Sequence, residues 1–186
     1  MNSFSSIALV SALVATLSAC VGLSSSGSMA KPFVQDGLPD TVKVPAGNRV
    51  ALETVGIGEI TYECRAKADM AGAFEWVFVG PQAELMSRSG AKLGTYYGPP
   101  ATWASTDGSR ITGTQLAVAL AGAGNIPTQL VKANPAMGAG AMSGVTYIQR
   151  VATRGGVAPA SACDAGRKEI VRYQSDYVFW KATSAS

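Results

Sequence analysis

The residues able to do chemistry are few, and one type is absent: the 186-residue chain contains no histidine. Without imidazole there is no ordinary general base at neutral pH, so Ser-His-Asp and Cys-His nucleophilic sets cannot be built. Zinc or copper sites would have to form from cysteine and carboxylate alone. Glycoside hydrolysis needs only two carboxylates, which directs attention to Glu59 and Glu63. At the rise of a strand, four residues separate them by about 13 Å, beyond the spacing that acid and nucleophile usually require. Asp107 and Asp164 sit in turn contexts, where aspartate more often bonds its own backbone. Arg110, Arg150 and Arg172 fall on expected strands, where arginine can pair with a carboxylate or grip an anionic ligand by two parallel N–H groups. An ion pair is the plainer of those two readings. Trp103, Tyr96, Tyr97 and Tyr147 could line a pocket for a small apolar or sugar ligand, and equally describe a core. Gly56-Ile57-Gly58 begins like a dinucleotide fingerprint, but Thr61 stands where the third glycine belongs and no helix follows. No catalytic set, cofactor site or metal site is expected from these residues.

The elements that would position them are strands. Glycine is abundant at 21 residues and only 15% of residues are charged, with a formal net charge of +3. The charges are scattered, giving no electrostatic footprint for nucleic acid. Strict alternation at residues 59–64 puts Ile60, Tyr62 and Cys64 on one face. A second run places Phe74, Trp76 and Phe78 together as core aromatics and ends at Gly80-Pro81. Further strands are read at residues 92–97, 101–103 and 109–112, the last entered through an Asp107-Gly108 turn. In residues 145–153, Ile148 and Arg150 share the second face, and the apolar Ile148 there implies cover on both sides. Residues 169–180 carry the clearest period of two. Residues 126–134 form the one helix candidate, with Pro127 in a first turn and Pro135 as its stop. The fold expected is all-β: a single β-sandwich or barrel-like domain with at most one short helix.

Residues 7–17 are an apolar run too short to span a bilayer and suited to a signal peptide. Leu17-Ser18-Ala19-Cys20 then resembles the lipobox of bacterial lipoproteins, which implies cleavage before Cys20 and its diacylation. No Lys or Arg precedes the run, and an ordinary secretory leader cut after Ala19 or Ala30 is the alternative. Cysteine parity bears on this choice. Of three cysteines, Cys64 and Cys163 lie in the domain and would oxidise together in an exported protein, leaving Cys20 for the lipid. Two buried free thiols, or a metal held by them, are the alternatives. The expected organisation is a signal peptide at 1–19, a lipidated cysteine and flexible tether at 20–37, and a β-rich domain at 38–182. In the lipoproteins that Cys20 resembles, aspartate at the next position commonly retains the protein in the inner membrane. Val21 therefore implies the outer membrane, facing the periplasm, with a secreted or soluble periplasmic protein as the alternative.

Several segments together resemble a known family. They are Tyr62-x-Cys64, Phe78-Val79-Gly80-Pro81, Gly98-Pro99, Trp103-x-x-x-Asp107-Gly108-Ser109, Tyr147-Ile148-Gln149-Arg150-Val151, Thr153-x-Gly155-Gly156, Cys163 and Tyr173-x-x-x-Tyr177-x-Phe179. This set is similar to the secreted bacterial and fungal domain of unknown function 3455, over about residues 44–180. The resemblance implies the pairing of Cys64 with Cys163 and attaches no activity. Some fungal members carry a malate-dehydrogenase-like label, which a chain without histidine or a dinucleotide fingerprint cannot support. The expected role is a non-catalytic cell-envelope lipoprotein that binds a small ligand, glycan or protein partner, held to the membrane by Cys20. Alternatives are a carboxylate-based hydrolase of envelope or extracellular polysaccharide and a purely structural envelope protein. Metabolic labelling with palmitate is expected to mark the wild-type protein and not Cys20→Ser; an unlabelled wild type would mean a soluble exported protein.

Overall fold

Alternating apolar and polar residues bury one face of a strand and leave the other wet, and eight strands of this kind pair here in chain order. The computed structural model describes residues 32–183. Its strands are β1 (Asn48–Ala66), β2 (Phe74–Met86), β3 (Lys92–Tyr97), β4 (Thr102–Ser105), β5 (Arg110–Ala119), β6 (Thr128–Ala133), β7 (Val145–Gly155) and β8 (Lys168–Ala182). Each runs antiparallel to the next, and β8 pairs with β1 to close a barrel without free edges. Of the two all-β architectures expected, the barrel is the one formed. A 3₁₀ turn at Asp40–Val42 is the helical element among the described residues. The expected leader at 1–19, Cys20, and residues 21–31 of the expected tether lie outside the described residues.

Three expectations are corrected. The helix read at 126–134 is strand β6. Leu130 and Val131 are buried on opposite faces, one toward an outer cluster and one toward the barrel core. A helix could not cover both faces or supply hydrogen bonds to both β5 and β7, as β6 does. Gly80-Pro81 does not end the second strand, which continues to Met86. A register shift at Thr61/Tyr62 in its partner absorbs the irregularity. Phe74 and Phe78 are not core: they are 41% and 51% exposed. β3 pairs only with residues 82–86 of β2, so the earlier part of β2 runs past the barrel rim with β1 alone.

β1 lies at the centre of the closure. It pairs with β2 along one side and β8 along the other, and it turns the corner through Gly56 and Gly58. A Cβ on Gly56 would run into the Tyr177 ring, and one on Gly58 into the Gln82 carbonyl and Ala83. Only glycine lets the backbones approach so closely.

Two covers complete the molecule. On the outside, residues 33–44 lie over a second apolar cluster containing Val42, Val44, Leu130, Val151, Val178 and Trp180. Among the described residues packing reaches back to Phe33, ahead of the Leu38 expected: the Phe33 ring meets Trp180 edge-on at 6.2 Å and its N–H donates to Glu53. Gln149, fully buried, holds this strap. Its amide donates to the Val42 carbonyl at 2.6 Å and to Gln35 at 2.9 Å, and it accepts from the Trp180 indole at 2.9 Å. At one end of the barrel, loop 156–167 is tied down by the Cys64–Cys163 disulfide, which closes a separation of 99 residues. Tyr62 donates to the Gly156 carbonyl at 2.6 Å and the Trp76 indole to that of Ser161 at 3.0 Å. Gln149→Ala leaves a buried indole N–H and a buried carbonyl without partners. It is expected to lower unfolding free energy by about 2–4 kcal/mol with an unchanged denaturant slope, measured by urea denaturation.

Candidate functional site

The candidate site is built on the inner face of the barrel toward the end covered by the disulfide loop. Register fixes which side chains enter it. Val118, Gln129, Arg150, Tyr177 and Thr54 follow one another across β5, β6, β7, β8 and β1. Directly cross-strand partners share a face, so these five project together. Ile148, two residues before Arg150, is wholly buried in the core, which fixes that face as the interior. The Tyr96 ring stacks on Trp103 at 4.8 Å and lies 5.0 Å from Tyr177, which meets Trp103 edge-on at 6.0 Å. The Tyr173 and Tyr177 hydroxyls are hydrogen-bonded at 3.1 Å.

Arg150 is the charged member of this face. Its Nε and Nη2 both donate to the Pro127 carbonyl, at 3.2 and 3.0 Å. Among the described residues no carboxylate forms an ion pair with it. Burial lifts the phenols of Tyr62, Tyr96, Tyr173 and Tyr177 above their ordinary value, Tyr173 to about 12, while the nearby Arg150 charge acts in the opposite sense on all four. Further in, the Trp103 indole nitrogen and the hydroxyl oxygens of Thr54 and Ser175 are buried and have no hydrogen-bond partner among the described residues. All three surround Tyr177, Thr54 as its cross-strand partner, Ser175 two positions before it on β8, and Trp103 in ring contact.

The sequence-derived candidates separate in the structure. Trp103 and Tyr96 come together inside, whereas Tyr97 is 43% exposed and Tyr147 lies outside beneath the Lys132 ammonium, 4.1 Å above its ring. Arg110 bridges to Met137 at the opposite end of the barrel. Arg172 lines an open surface groove of about 610 Å³ with Arg154, Gln174, Ile57 and Glu59. Glu63 is drawn below the usual carboxylate range by its hydrogen bond to Arg65 at 2.8 Å. Asp107 is also pulled down, because its carboxylate accepts from the Ser109 hydroxyl and from the N–H groups of Ala141 and Ser109. It organises a loop junction, as its turn context suggested. Asp164 caps a turn through its carbonyl, which accepts from Arg167 at 3.1 Å. Glu53 and Asp176 approach each other most usefully, yet Arg88 lies between them on the outer face at 3.2 and 3.0 Å. Cys64 and Cys163 are joined as expected. The sequence presents Tyr177 and Tyr173 as strand and family positions and Pro127 as a helix start, none of them as a site residue. The available signal was parity: Arg150 shares a face with Ile148, and a core residue two positions away makes an arginine an interior one.

This arrangement offers hydrogen-bond donors and aromatic faces for binding, and no nucleophile beside a base. The family model described as "Protein of unknown function (DUF3455)" matches residues 45–181. No curated protein and no solved structure matches the chain.

The tyrosines supply a pH prediction. A phenol whose folded pKa is raised keeps its proton where the unfolded chain has lost it, so stability is whole below about pH 10 and falls as pH rises above that. Titration of the 295 nm tyrosinate band is expected to show four of the six tyrosines ionising late, Tyr62, Tyr96, Tyr173 and Tyr177, together with alkaline unfolding. Ionisation of all six along the ordinary phenol curve, with the fold intact, would contradict the buried placement.

Proposed function

As the chain belongs to this family of proteins of unknown function, we propose from its own residues that it is a non-catalytic binding module of the bacterial cell envelope, which takes a small ligand at the Arg150 end of its barrel. Cys20 carries the lipid that holds it to the membrane, on the periplasmic face of the outer membrane. The observation that carries the binding reading is the incomplete partnering inside the barrel. A core with only a structural task is most stably filled by apolar side chains, because each unpartnered buried polar group costs about 1–3 kcal/mol. Here Trp103, Thr54 and Ser175 keep such groups around Tyr177, on the same inner face as Arg150. A buried polar group left unanswered calls for an explanation, and a ligand on this face is the one we adopt.

The hydrolase reading draws less support. Most of its nearby carboxylates are engaged elsewhere, Glu53 and Asp176 by Arg88, Glu63 by Arg65 and Glu84 by Lys92, and Glu59 lies on the outer face, unpaired among the described residues. A general acid needs a carboxyl with a raised pKa, and Asp40, Glu63 and Asp107 are all shifted downward.

A thermal-unfolding screen of the full-length protein against small acids, phosphate esters and sugars tests this. A ligand at about one hundred times its Kd is expected to add about 2.7 kcal/mol of stability, saturably and without conversion of the compound. Release of product from a polysaccharide would overturn the reading, as would a screen in which no compound shifts the transition.

A further inference from the structure

Resting on that binding reading, we infer that the ligand is a small molecule bearing an oxyanion, carboxylate or phosphate, gripped by the free edge of the Arg150 guanidinium. A guanidinium presents five N–H groups in a fixed fork. The Nε–Nη2 edge of Arg150 is directed at one acceptor, the Pro127 carbonyl. The Nη1–Nη2 edge, with two parallel N–H groups, has no acceptor among the described residues. That edge matches the two oxygens of a carboxylate or phosphate.

Among the described residues no carboxylate answers this charge. Glu53, Glu59, Glu63 and Asp176 lie on the outer face of the sheet by register, and Glu169, which shares a face with Tyr62, is turned to Arg167 at 3.4 Å. The two cation–π contacts belong to Lys132 and Arg167. A half-buried cation without a counter-charge is a favourable place for an anion from outside.

The surroundings are donors as well. The phenols of Tyr62, Tyr96, Tyr173 and Tyr177 all feel the Arg150 charge, but Tyr62 donates to the Gly156 carbonyl and one of Tyr173 and Tyr177 donates to the other, which leaves Tyr96 and one of that pair to donate. Tyr96 makes no hydrogen bond through its hydroxyl among the described residues. On the open side the same row of side chains continues to Gln129 and to Val118, which is 46% exposed. Arg150 therefore stands between an aromatic interior and a rim that reaches solvent. The bound group is small, since Trp103, Tyr96 and Tyr177 already fill the barrel beneath.

The outer groove with Arg154 and Arg172 is the competing place for an anion, and Glu59 on its wall makes it the poorer one. Calorimetric titration of the full-length protein with inorganic phosphate, acetate and benzoate separates the two sites, with glucose as the neutral probe. At least one anion is expected to bind and to shift the Trp103 indole N–H resonance. Arg150→Gln should weaken it about 10- to 100-fold. Arg150→Lys, which keeps the charge and loses the fork, should fall between, and it carries the test if Arg150→Gln does not fold. Arg172→Gln should leave binding unchanged. Phosphate bound in preference to benzoate assigns a phosphate group, and the reverse order a carboxylate. Equal anion binding by wild type and both Arg150 variants, or loss on Arg172→Gln alone, overturns the inference. Saturable binding of glucose but of no anion also overturns it, while leaving the binding module itself intact.

Discussion

When β1 pairs with β8 along residues 48–63, the sheet loses its last free edge, and every later feature of the molecule has to fit inside or outside the resulting cylinder. Eight strands enclose an interior just wide enough to be filled by side chains or to admit one small ligand. This barrel uses most of that width on large rings: Trp103, Tyr177 and Phe179 are all essentially excluded from solvent. Such rings fit because β1 and β2 answer them with small residues, Gly56 under Tyr177 and Gly58 opposite Ala83. Filling the space with tyrosine and tryptophan rather than leucine has a consequence beyond packing. Each tyrosine or tryptophan ring brings a polar atom into a region with few partners, beside the Thr54 and Ser175 hydroxyls. The closure that makes the domain stable is therefore also what concentrates unanswered hydrogen-bonding groups around Tyr177.

Charge is divided by the same cylinder. The ion pairs lie outside or at the rim, between partly exposed groups such as Lys92 with Glu84 and Arg65 with Glu63. Pairs of this kind contribute little, about 0–1 kcal/mol each. Arg88 does somewhat more as a tie, since it reaches Glu53 on β1 and Asp176 on β8 from the turn between β2 and β3. Stability rests instead on the core, on the strap held by Gln149 and on the disulfide. None of these needs Arg150, the arginine that the fold places on the inner face and leaves without an ion pair among the described residues.

What could be read in the sequence followed from period. Residues 145–153 and 169–180 are strands as read, although both are buried on two faces, Ile148 and Phe179 toward the core and Val151 and Val178 toward the outer cluster; enough β-branched and aromatic residues in phase kept them legible. In β6 the same double burial erased the period. β6 has Leu130 and Val131 buried side by side because the strap covers its outer face, and adjacent apolar residues between prolines imitate a helix. Phe74, Trp76 and Phe78 alternate as well as any core strand, but the first and last lie past the rim, and position relative to a rim is set by which strands pair, not by local pattern. The disulfide was legible from cysteine parity in a chain read as exported, together with the family resemblance. The candidate site was half legible: Trp103 and Tyr96 were paired with Tyr97 and Tyr147, which occupy the opposite face. Adjacent tyrosines in a strand cannot share a pocket, so the alternation itself excluded Tyr97 once Tyr96 was placed inside.

The placement of Arg150 is finally a matter of backbone strain beside it. β7 shifts register between Val151 and Arg154, and within the shift Ala152 adopts φ of 50°, the one non-glycine residue with positive φ among those described. Such a conformation costs about 1–3 kcal/mol and persists only where neighbours hold it. Here the neighbours are identifiable. The bulge turns the Thr153 hydroxyl to the Ile126 carbonyl at 2.6 Å and presents the Gly155 N–H to Asn125 at 2.8 Å. Those two bonds fasten residues 125–126 against β7, and the next carbonyl along, that of Pro127, is the acceptor that orients Arg150. Proline at 127 contributes by lacking an N–H that this turn would leave unpaired. Bulges recur where a side chain must be re-aimed. In β7 the strained residue, its two anchoring bonds and the oriented guanidinium form one causal chain, and its outcome is an arginine whose outer edge is fixed in direction and has no partner among the described residues.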